Sequence, residues 1–315
     1  MNEILTRIEQ AKHVVVISHI NPDADSLGSA SALYTHMLRL HKKVSWFCAT
    51  KNINQKLLFL PWSEKIRDSF PSSADLVISL DCGSRDRLGV AFACDLINID
   101  HHSSNEDFGK YNLVDLKCIS TTEVLYNLFK DNNITINPKM ATAMYAGLLD
   151  DSAGFLDEKV DGTLFALVKE LIEIGADYRL CNKYIMKYQT LGAFRLKAIM
   201  HKNMMLSCDG RVAVFCVTNE DMKTSGAIGS DCESTLEEAL WLPSVEVSLL
   251  LKQNRDLSIK CSLRSSFKVD VNKIASIFSG GGHANRAGFT LESGIALESA
   301  KEKILKLVCK ELKFE

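Results

Sequence analysis

Short runs of apolar residues alternate with amphipathic segments along the first half of the chain. The runs at 14–17, 44–48, 76–80 and 96–99 contain few polar residues, which is typical of strands buried on both faces of a sheet. The segment 26–40 places its apolar residues at helical spacing. Strands that alternate with helices predict an α/β fold in which a parallel sheet is flanked by helices.

The second half of the chain has a different pattern. Helices are predicted at 123–130, 138–149, 163–174, 178–188 and 191–205, and strands follow at 212–217, 245–251 and 257–263. Helical patterns return at 271–278 and 298–312, which indicates a smaller α/β domain. We expect a larger N-terminal domain over residues 1–190, a helical linker over 191–208 and a C-terminal domain over 209–315.

Bulk properties exclude several classes of protein. A chain of 315 residues with 46% hydrophobic content can form two cores, and its net charge of −2 does not favour tight binding to duplex nucleic acid or to a membrane surface. None of the ten cysteines forms a CxxC pair, which argues against zinc fingers and predicts reduced thiols. Without a signal-peptide core or a membrane-spanning apolar stretch, the sequence predicts a cytoplasmic protein without a membrane partner.

Polar, titratable residues follow the ends of the predicted strands. They are His19, Asp23 and Asp25 after the first run, Asp81 after the third, and Asp100, His101 and His102 after the fourth, while Asp150 and Asp151 close the helical segment 138–149. The carboxyl ends of parallel strands share one edge of a sheet, so these groups should meet there. Crowded carboxylates and imidazoles cannot all stay ionised without cations among them. The pattern predicts a metal site, with ligands that suit manganese, iron, cobalt or zinc.

Each of these motifs also has a purely structural interpretation. Asp23 and Asp25 could cap the following helix, and Asp81 could simply be a polar residue at a strand end. The three consecutive residues Asp100, His101 and His102 could form a solvated turn. Asp150 and its neighbour could lie in an exposed loop, although carboxylates are unfavourable at a helix C-terminus.

A glycine-rich segment in the second half is a candidate anion site. Residues 279–288 read SGGGHANRAG, and glycines let backbone N–H groups approach an anion closely. His283 and Arg286 add positive or hydrogen-bonding groups, and Arg264 and Ser265 stand at the end of a predicted strand. A plain flexible loop is the alternative. The GKS/T ending of a P-loop is absent, so nucleotide triphosphate hydrolysis is not indicated.

Taken together, these segments closely resemble the DHH/DHHA1 phosphoesterase family, in particular its nanoRNase (oligoribonuclease) and phosphoadenosine-phosphate phosphatase members. Four ordered motifs carry the likeness in the first half: SHINPDADSLGS, SLDCGSRDRLG, IDHHSSN and GLLDDSAGF. In the second half, SLRSS and VDVNKIASIFSGGGHANRAGF are similar to a DHHA1 domain. The resemblance covers nearly the whole chain and implies an N-terminal DHH domain followed by a smaller C-terminal α/β DHHA1 domain.

The resemblance implies a site for two manganese ions, with magnesium or cobalt as alternatives. Asp81 would bridge the ions, His19 and Asp23 would complete one site, and Asp25, His101 and Asp151 would complete the other. His102 would contact the scissile phosphate and Asp100 would orient its neighbours. Asp150 stands where the family often has glycine, which leaves open whether it shares ligation with Asp151.

The resemblance also implies the substrates. The residues that would hold the distal nucleotide are Arg264, Ser265, Gly280, Gly281, Gly282, His283 and Arg286. The expected activity is hydrolysis of short RNA or DNA oligonucleotides, linear dinucleotides such as pApA, or 3′-phosphoadenosine 5′-phosphate, by a hydroxide that two metals activate. Alternatives are a DHH-type inorganic pyrophosphatase and a catalytically silent nucleotide-binding regulator; a homodimer is left open.

Overall fold

The computed structural model describes residues 3–266 and 269–312, without the side chain of Ser230. The chain divides into two compact units, which meet in the sequence between Tyr188 and Gln189. Within the described ranges, no helix combines the length and the apolar character that crossing a bilayer requires.

The first unit contains a six-stranded sheet in which every neighbouring pair of strands is parallel. Its strands are β1 His13–Ser18, β2 Lys43–Phe47, β3 Ile66–Arg67, β4 Leu76–Leu80, β5 Asp95–Asp100 and β6 Tyr111–Val114, in the order β3-β2-β1-β4-β5-β6. The predicted parallel α/β architecture is confirmed. The two edge strands were not predicted, because they are short and partly exposed and so lack a continuous apolar run.

The described residues of this unit form six α-helices. They are α1 Glu3–Gln10, α2 Ala24–Arg39, α3 Thr121–Asp131, α4 Pro138–Asp151, α5 Gly162–Ile174 and α6 Tyr178–Cys181. The backbones of α2 and α4 approach so closely that a Cβ at Gly28 would lie 2.4 Å from the carbonyl oxygen of Ala143. The helix predicted at 178–188 is shorter than expected, because α6 gives way to a π-helical turn at Asn182–Met186.

The second unit is built on a mixed sheet of six strands. They are β7 Met205–Ser207, β8 Val212–Val217, β9 Val247–Gln253, β10 Ile259–Ser265, β11 Gly281–His283 and β12 Arg286–Leu291. In the order β11-β12-β10-β9-β8-β7, the pair β8–β9 is parallel and the other neighbours are antiparallel.

The helices of this unit are α7 Leu191–Lys202, α8 Asn219–Ser225, α9 Glu233–Ala239, α10 Val271–Ile277 and α11 Leu297–Leu312. The helix predicted as a linker, α7, packs Leu196 and Met200 into the core of this unit. The smaller α/β domain expected from the sequence is confirmed.

The glycine-rich segment is a β-hairpin and not the expected loop. Strands β11 and β12 pair in antiparallel register, and the glycines allow this close approach. Gly282 has φ +149°, and a Cβ there would lie 2.3 Å from the carbonyl oxygen of Arg286. A Cβ at Gly280 would likewise lie 2.4 Å from the carbonyl oxygen of Gly288. Sequence reasoning missed the hairpin because glycine has low strand propensity.

A disulfide corrects the expectation that all cysteines are reduced. Cys208, beside β7, is joined to Cys309 on α11, with 5.7 Å between their Cα atoms. The other eight cysteines are free. The two partners are 101 residues apart in sequence, and no spacing pattern in the chain pointed to the pair.

A buried histidine predicts acid sensitivity of the first unit. His36 on α2 packs against Phe129, with ring centroids 5.1 Å apart, and its Nδ1 has no hydrogen-bond partner among the described residues. Burial, aided by Arg39, lowers the pKa of His36 to about 4. The unfolded chain therefore binds a proton first as the pH falls below 6.5, so stability is lost between pH 6.5 and 4.

We expect His36→Gln to reduce this pH dependence. From pH 7.5 to pH 5 the native protein should lose about 2 kcal/mol more of its unfolding free energy than the variant does. Urea unfolding at both pH values measures the difference. His41→Gln, at an exposed position, is the matched control and should leave the pH dependence unchanged. An identical pH response in His36→Gln would contradict a neutral His36 in the core.

Candidate metal centre

The candidate centre lies where the strand order of the first sheet reverses. β1 and β4 are neighbours in the middle of the sheet. The chain continues from β1 to β2 on one side of this pair and from β4 to β5 on the other. In open α/β sheets this point leaves a crevice at the carboxyl ends of the strands. His19 directly follows β1, Asp81 directly follows β4, and Asp100 is the last residue of β5. The sheet topology therefore brings the predicted residues to one edge.

Asp81 stands at the centre of this group. Its carboxylate faces one histidine with each oxygen: Oδ2 lies 3.3 Å from His19 Nε2, and Oδ1 lies 3.7 Å from His101 Nε2. Its backbone adopts a left-handed conformation with φ +58°, which costs energy for a residue with a side chain. Thr121 donates a hydrogen bond from Oγ1 to Asp81 Oδ1 at 3.2 Å. The fold thus fixes a buried carboxylate between two imidazoles.

Three groups of described side chains could hold a metal ion, and one of them joins Asp81 to Asp100, His101 and His102. Of the other two, the first contains His19, Asp23 and Asp81, whose ligand atoms all lie within 4.8 Å of one another. The second group satisfies the same limit with Asp25, His101 and Asp151, and the distance from His101 Nε2 to Asp151 Oδ2 is 3.3 Å. Imidazole nitrogens and carboxylate oxygens at this spacing form a donor set that suits a transition-metal cation.

The two histidines turn the correct nitrogen towards the carboxylates. His19 Nδ1 lies 2.9 Å from the carbonyl oxygen of Ile20, and His101 Nδ1 lies 3.4 Å from that of Cys118. A proton on Nδ1 leaves the Nε2 lone pair free, the arrangement seen for metal-binding histidines. Nε2 of His101 is buried without a hydrogen-bond partner among the described residues. Burial, followed by the neighbouring His102, lowers the pKa of His101 to about 4, which keeps its ring neutral.

Asp25 is held from two sides. The backbone N–H groups of Thr121 and Thr122, at the start of α3, donate to its two carboxylate oxygens at 2.6 and 2.9 Å. Across the carboxylate lies Gly147 of α4, where an added Cβ would be 2.5 Å from Asp25 Oδ1. The position of Asp25 therefore depends on a helix N-terminus and on the absence of a side chain at residue 147.

The cluster of carboxylates is electrostatically unfavourable by itself. Burial, followed by repulsion from neighbouring carboxylates, raises the pKa of Asp25 to about 7 and that of Asp151 to about 10. The same causes raise the pKa of Asp81. Divalent cations between these groups would remove the repulsion and replace lost hydration. The residues present therefore fit a metal centre.

His102 and Asp100 form a separate hydrogen-bonded pair at the rim. His102 Nδ1 donates to Asp100 Oδ1 at 2.8 Å, and Asn105 Nδ2 donates to the other oxygen at 2.6 Å. The bond to Asp100 raises the pKa of His102. Burial alone would raise the pKa of Asp100, but the bonds from His102 and Asn105 outweigh it and lower that pKa. The His102 side chain is 40% exposed and can present a proton to an anion.

The structure separates the two adjacent carboxylates at the end of α4. Asp151 lies beside His101, whereas Asp150 Oδ2 accepts the backbone N–H of Ala24 at 3.1 Å. Asp150 belongs to none of the ligand groups among the described residues. Its position favours a structural contact with the start of α2, and the ligand geometry favours Asp151.

In the second unit, the predicted arginines are already paired with carboxylates. Arg264 on β10 is 8% exposed, and its Nη2 forms a salt bridge with Glu233 of α9. Arg286, opposite Arg264 in the β10–β12 pair, forms a salt bridge with Glu237. His283 is exposed. An anion that binds here must share both guanidinium groups with the two glutamates.

The remaining predicted residues of this unit have mainly backbone roles. Ser265 Oγ accepts the N–H of Val269 at 3.2 Å. Gly280 and Gly282 pack against β12, whereas a Cβ at Gly281 would meet nothing closer than 4.0 Å. Of the three glycines, Gly281 is therefore the one without a steric reason to lack a side chain.

Comparison with known proteins agrees with both halves of this description. Residues 13–148 match the model of the DHH family, N-terminal domain, and residues 209–313 match that of the DHHA1 domain. The chain belongs to the DHH/DHHA1 family. The family likeness inferred from the sequence motifs is thus confirmed. All three ligand groups lie in the first unit, and of their members only Asp151 falls outside the matched residues 13–148.

Several known proteins are similar to this one over nearly the whole chain. A bifunctional oligoribonuclease and PAP phosphatase NrnA from Thermus thermophilus is 28% identical, over 98% of this chain and 93% of its own length. The protein of the same name from Bacillus subtilis is 24% identical, over 92% and 93%. An exopolyphosphatase-related protein from Bacteroides fragilis has a similar crystal structure, with a TM-score of 0.89, 26% identity and coverage of 98% and 96%.

Within the DHH unit, sequence reasoning missed several residues that complete the centre. Thr121 and Asn105 supply hydrogen bonds to Asp81 and Asp100, and Arg87 Nη2 lies 2.9 Å from His19 Nδ1. A guanidinium only donates, so this contact is a hydrogen bond only when Nδ1 lacks a proton; with the proton on Nδ1, the two N–H groups would repel each other at this distance. Arg87 belongs to the quoted motif SLDCGSRDRLG, so its place in that motif was the available signal.

Proposed function

We propose that this protein is a two-metal phosphoesterase that hydrolyses short oligonucleotides, linear dinucleotides such as pApA, or 3′-phosphoadenosine 5′-phosphate. The observation that carries the proposal is the buried Asp81 carboxylate between two groups of ligands. The names of the relatives, oligoribonuclease and PAP phosphatase, support the choice of substrates. We propose a cytoplasmic location for this activity, as the sequence predicts.

The chain offers each ion an imidazole and carboxylates. His19 and Asp23 would hold one ion, and Asp25, His101 and Asp151 would hold the other, with Asp81 shared between them. When bound, two divalent ions neutralise phosphoryl charge and make water a stronger nucleophile at neutral pH. Manganese fits a mixed set of nitrogen and oxygen donors better than magnesium, which prefers oxygen ligands throughout.

The protein's own rim residues then act on the phosphoryl group. Asp100 accepts a hydrogen bond from Nδ1 of His102 and favours the protonated ring. The Nε2–H group of that ring would donate a hydrogen bond to a phosphoryl oxygen and stabilise charge in the transition state. Asp100 is a positioning residue, because its contacts are with His102, His101 and Asn105. The guanidinium of Arg87 adds a second positive group on the other side of His19.

A direct assay tests the proposed function. The full chain with Mn²⁺ should shorten end-labelled oligonucleotides of two to about five residues faster than longer ones, and should release phosphate from 3′-phosphoadenosine 5′-phosphate. The same assay without divalent ions should show no turnover. Inorganic pyrophosphate serves as the comparison substrate. Rapid pyrophosphate hydrolysis without oligonucleotide hydrolysis would contradict the proposal.

Residues of the second unit should affect nucleotide recognition more than chemistry. We expect Arg264→Ala and His283→Ala to reduce kcat/KM for a dinucleotide by about 10²-fold, because each removes a charged or polar contact to a phosphate. Bis-p-nitrophenyl phosphate lacks a nucleotide, so its hydrolysis should change less than about threefold. Equal losses on both substrates would show that these residues do not bind the nucleotide.

Lys197→Gln is the matched control for this experiment. Lys197 on α7 also forms a salt bridge with a glutamate of α9, Glu238, but it is not among the predicted substrate residues. Its substitution should leave both reactions unchanged. A similar selective loss in Lys197→Gln would indicate a general disturbance of α9.

A further inference from the structure

The second unit contains a cavity that none of the groups described above uses. It has a volume of about 640 Å³, within the range of pockets that bind small molecules. It lies beyond the carboxyl ends of β8 and β9, the parallel pair of this sheet, and so at the kind of edge where open α/β sheets bind ligands.

The cavity is distant from the predicted substrate residues of the same unit. Arg264 pairs with Ser248, near the start of β9, whereas the cavity is lined by Gln253 at the end of that strand. The five intervening steps correspond to roughly 16 Å at 3.3 Å per residue. A ligand in this cavity would therefore occupy a separate site.

The charged residues that line the cavity are all basic. Lys223, Lys252 and Arg255 are among the lining residues, and no carboxylate is among those that the structure describes. Within the described part of the chain, none of the three forms a salt bridge. Lys252 Nζ donates a hydrogen bond to the carbonyl oxygen of Gly229 at 3.1 Å. Three cations around one concave surface produce a positive potential that favours an anion with more than one charge.

Hydrogen bonds hold the two loops that form the wall. The backbone N–H of Asn219 donates to Gln253 Oε1 at 3.3 Å, and its side-chain Nδ2 donates to the carbonyl oxygen of Asn254 at 2.9 Å. The segment that follows β8 is thus tied to the segment that follows β9. A site whose wall is fixed before binding loses less free energy on ordering.

Another part of the lining is apolar. Met222, Ala227 and Ile228 line the cavity, and Ile228 is 63% exposed. Methionine adapts its shape and makes favourable contacts with aromatic rings. The cavity thus combines a surface for a flat ring with a surface for a multiply charged anion.

We propose that this cavity is a second ligand site, which binds a nucleoside monophosphate. The phosphate dianion contacts Lys223, Lys252 and Arg255, and the base packs against Met222 and Ile228. The Nδ2 groups of Asn219 and Asn254 already donate hydrogen bonds within the wall, so it is their Oδ1 atoms that accept hydrogen bonds from the base or the ribose. This site is independent of the metal centre and of the proposed hydrolysis.

Methyl NMR on the full chain tests the proposal without a turnover assay. The chain is labelled with ¹³C-methyl methionine, the signal of Met222 is assigned with Met222→Leu, and AMP is titrated in the presence of Mg²⁺. We expect a saturable shift of the Met222 signal. Adenosine lacks the phosphate and inorganic phosphate lacks the nucleoside, so each should bind at least about tenfold more weakly than AMP.

Two variants and two controls locate the site. Lys223→Glu and Arg255→Glu should each weaken AMP binding, followed at Met222, by at least about tenfold. Lys303→Glu changes an exposed lysine of α11 and should have no effect. Arg264→Ala should also leave the Met222 response intact, which separates this site from the proposed substrate residues. An unchanged Met222 signal, or equal binding of AMP to Lys223→Glu, would overturn the proposal.

Discussion

Asp81→Asn is expected to abolish hydrolysis while it stabilises the metal-free protein. The amide keeps the size of the side chain, and asparagine tolerates the left-handed backbone at φ +58° as well as aspartate does. The substitution thus removes the charge and little else. We expect kcat/KM to fall by about 10³-fold or more, equivalent to about 4 kcal/mol of transition-state stabilisation.

The effect on stability should have the opposite sign. Burial and the surrounding carboxylates raise the pKa of Asp81, so keeping it ionised at pH 7.5 destabilises the metal-free fold. Asp81→Asn should therefore raise the unfolding temperature measured in EDTA. A destabilising effect is the usual outcome for a core substitution, so an increase is diagnostic of a site optimised for cations.

Asp95→Asn provides the matched control. Asp95 begins β5, at the opposite end of the strand from Asp100, and forms salt bridges with Arg7 and Lys110. These contacts lower its pKa, so its charge should be mildly stabilising. Asp95→Asn should retain activity and lower the unfolding temperature slightly. Activity of Asp81→Asn within tenfold of the native protein would refute the site.

Gly147→Ala is expected to impair the centre without touching any ligand. A methyl group at this position would lie 2.5 Å from Asp25 Oδ1 and 2.6 Å from Thr122 Cγ2, so the Asp25 carboxylate must move. Displacement of a reacting group by about 1 Å can cost about 10²-fold in rate. We expect a loss of that size in kcat/KM, together with weaker binding of divalent ions in calorimetry.

Gly162→Ala is the control for this substitution. Gly162 begins α5, and a Cβ there would meet nothing within 4 Å. Alanine also has a higher helix propensity than glycine, so this variant should keep full activity and equal or greater stability. If Gly147→Ala binds metal and turns over like the native protein, the position of Asp25 does not matter to the centre.

The convergence of the predicted ligands followed from the sequence because it depends on topology. Residues directly after β1, β4 and β5 meet at one edge in any parallel sheet with those neighbours. The motifs identified the ligand residues, and the ends of these strands were predicted to within a residue or two. This was enough to locate the ligands at that edge of the sheet. What the sequence did not reveal is how the carboxylates are held: Thr121 and Thr122 reach Asp25 across 96 or 97 residues, and no local pattern encodes such a contact.

The second unit was harder to predict for a different reason. Glu233 and Glu237 lie on α9, a helix of seven residues that is too short to produce a clear amphipathic period. Their pairing with Arg264 and Arg286 therefore had no signal in the sequence. The hairpin β11–β12 was obscured by its glycines, which serve close backbone packing and do not show the apolar alternation of an ordinary strand.

The measurement that tests the central claim most directly is anomalous diffraction from crystals of the full chain grown with Mn²⁺. We expect two manganese peaks that share the Asp81 carboxylate: the first bound also by His19 and Asp23, the second also by Asp25, His101 and Asp151. Absence of both peaks at saturating Mn²⁺, or peaks that bypass Asp81, would contradict the claim.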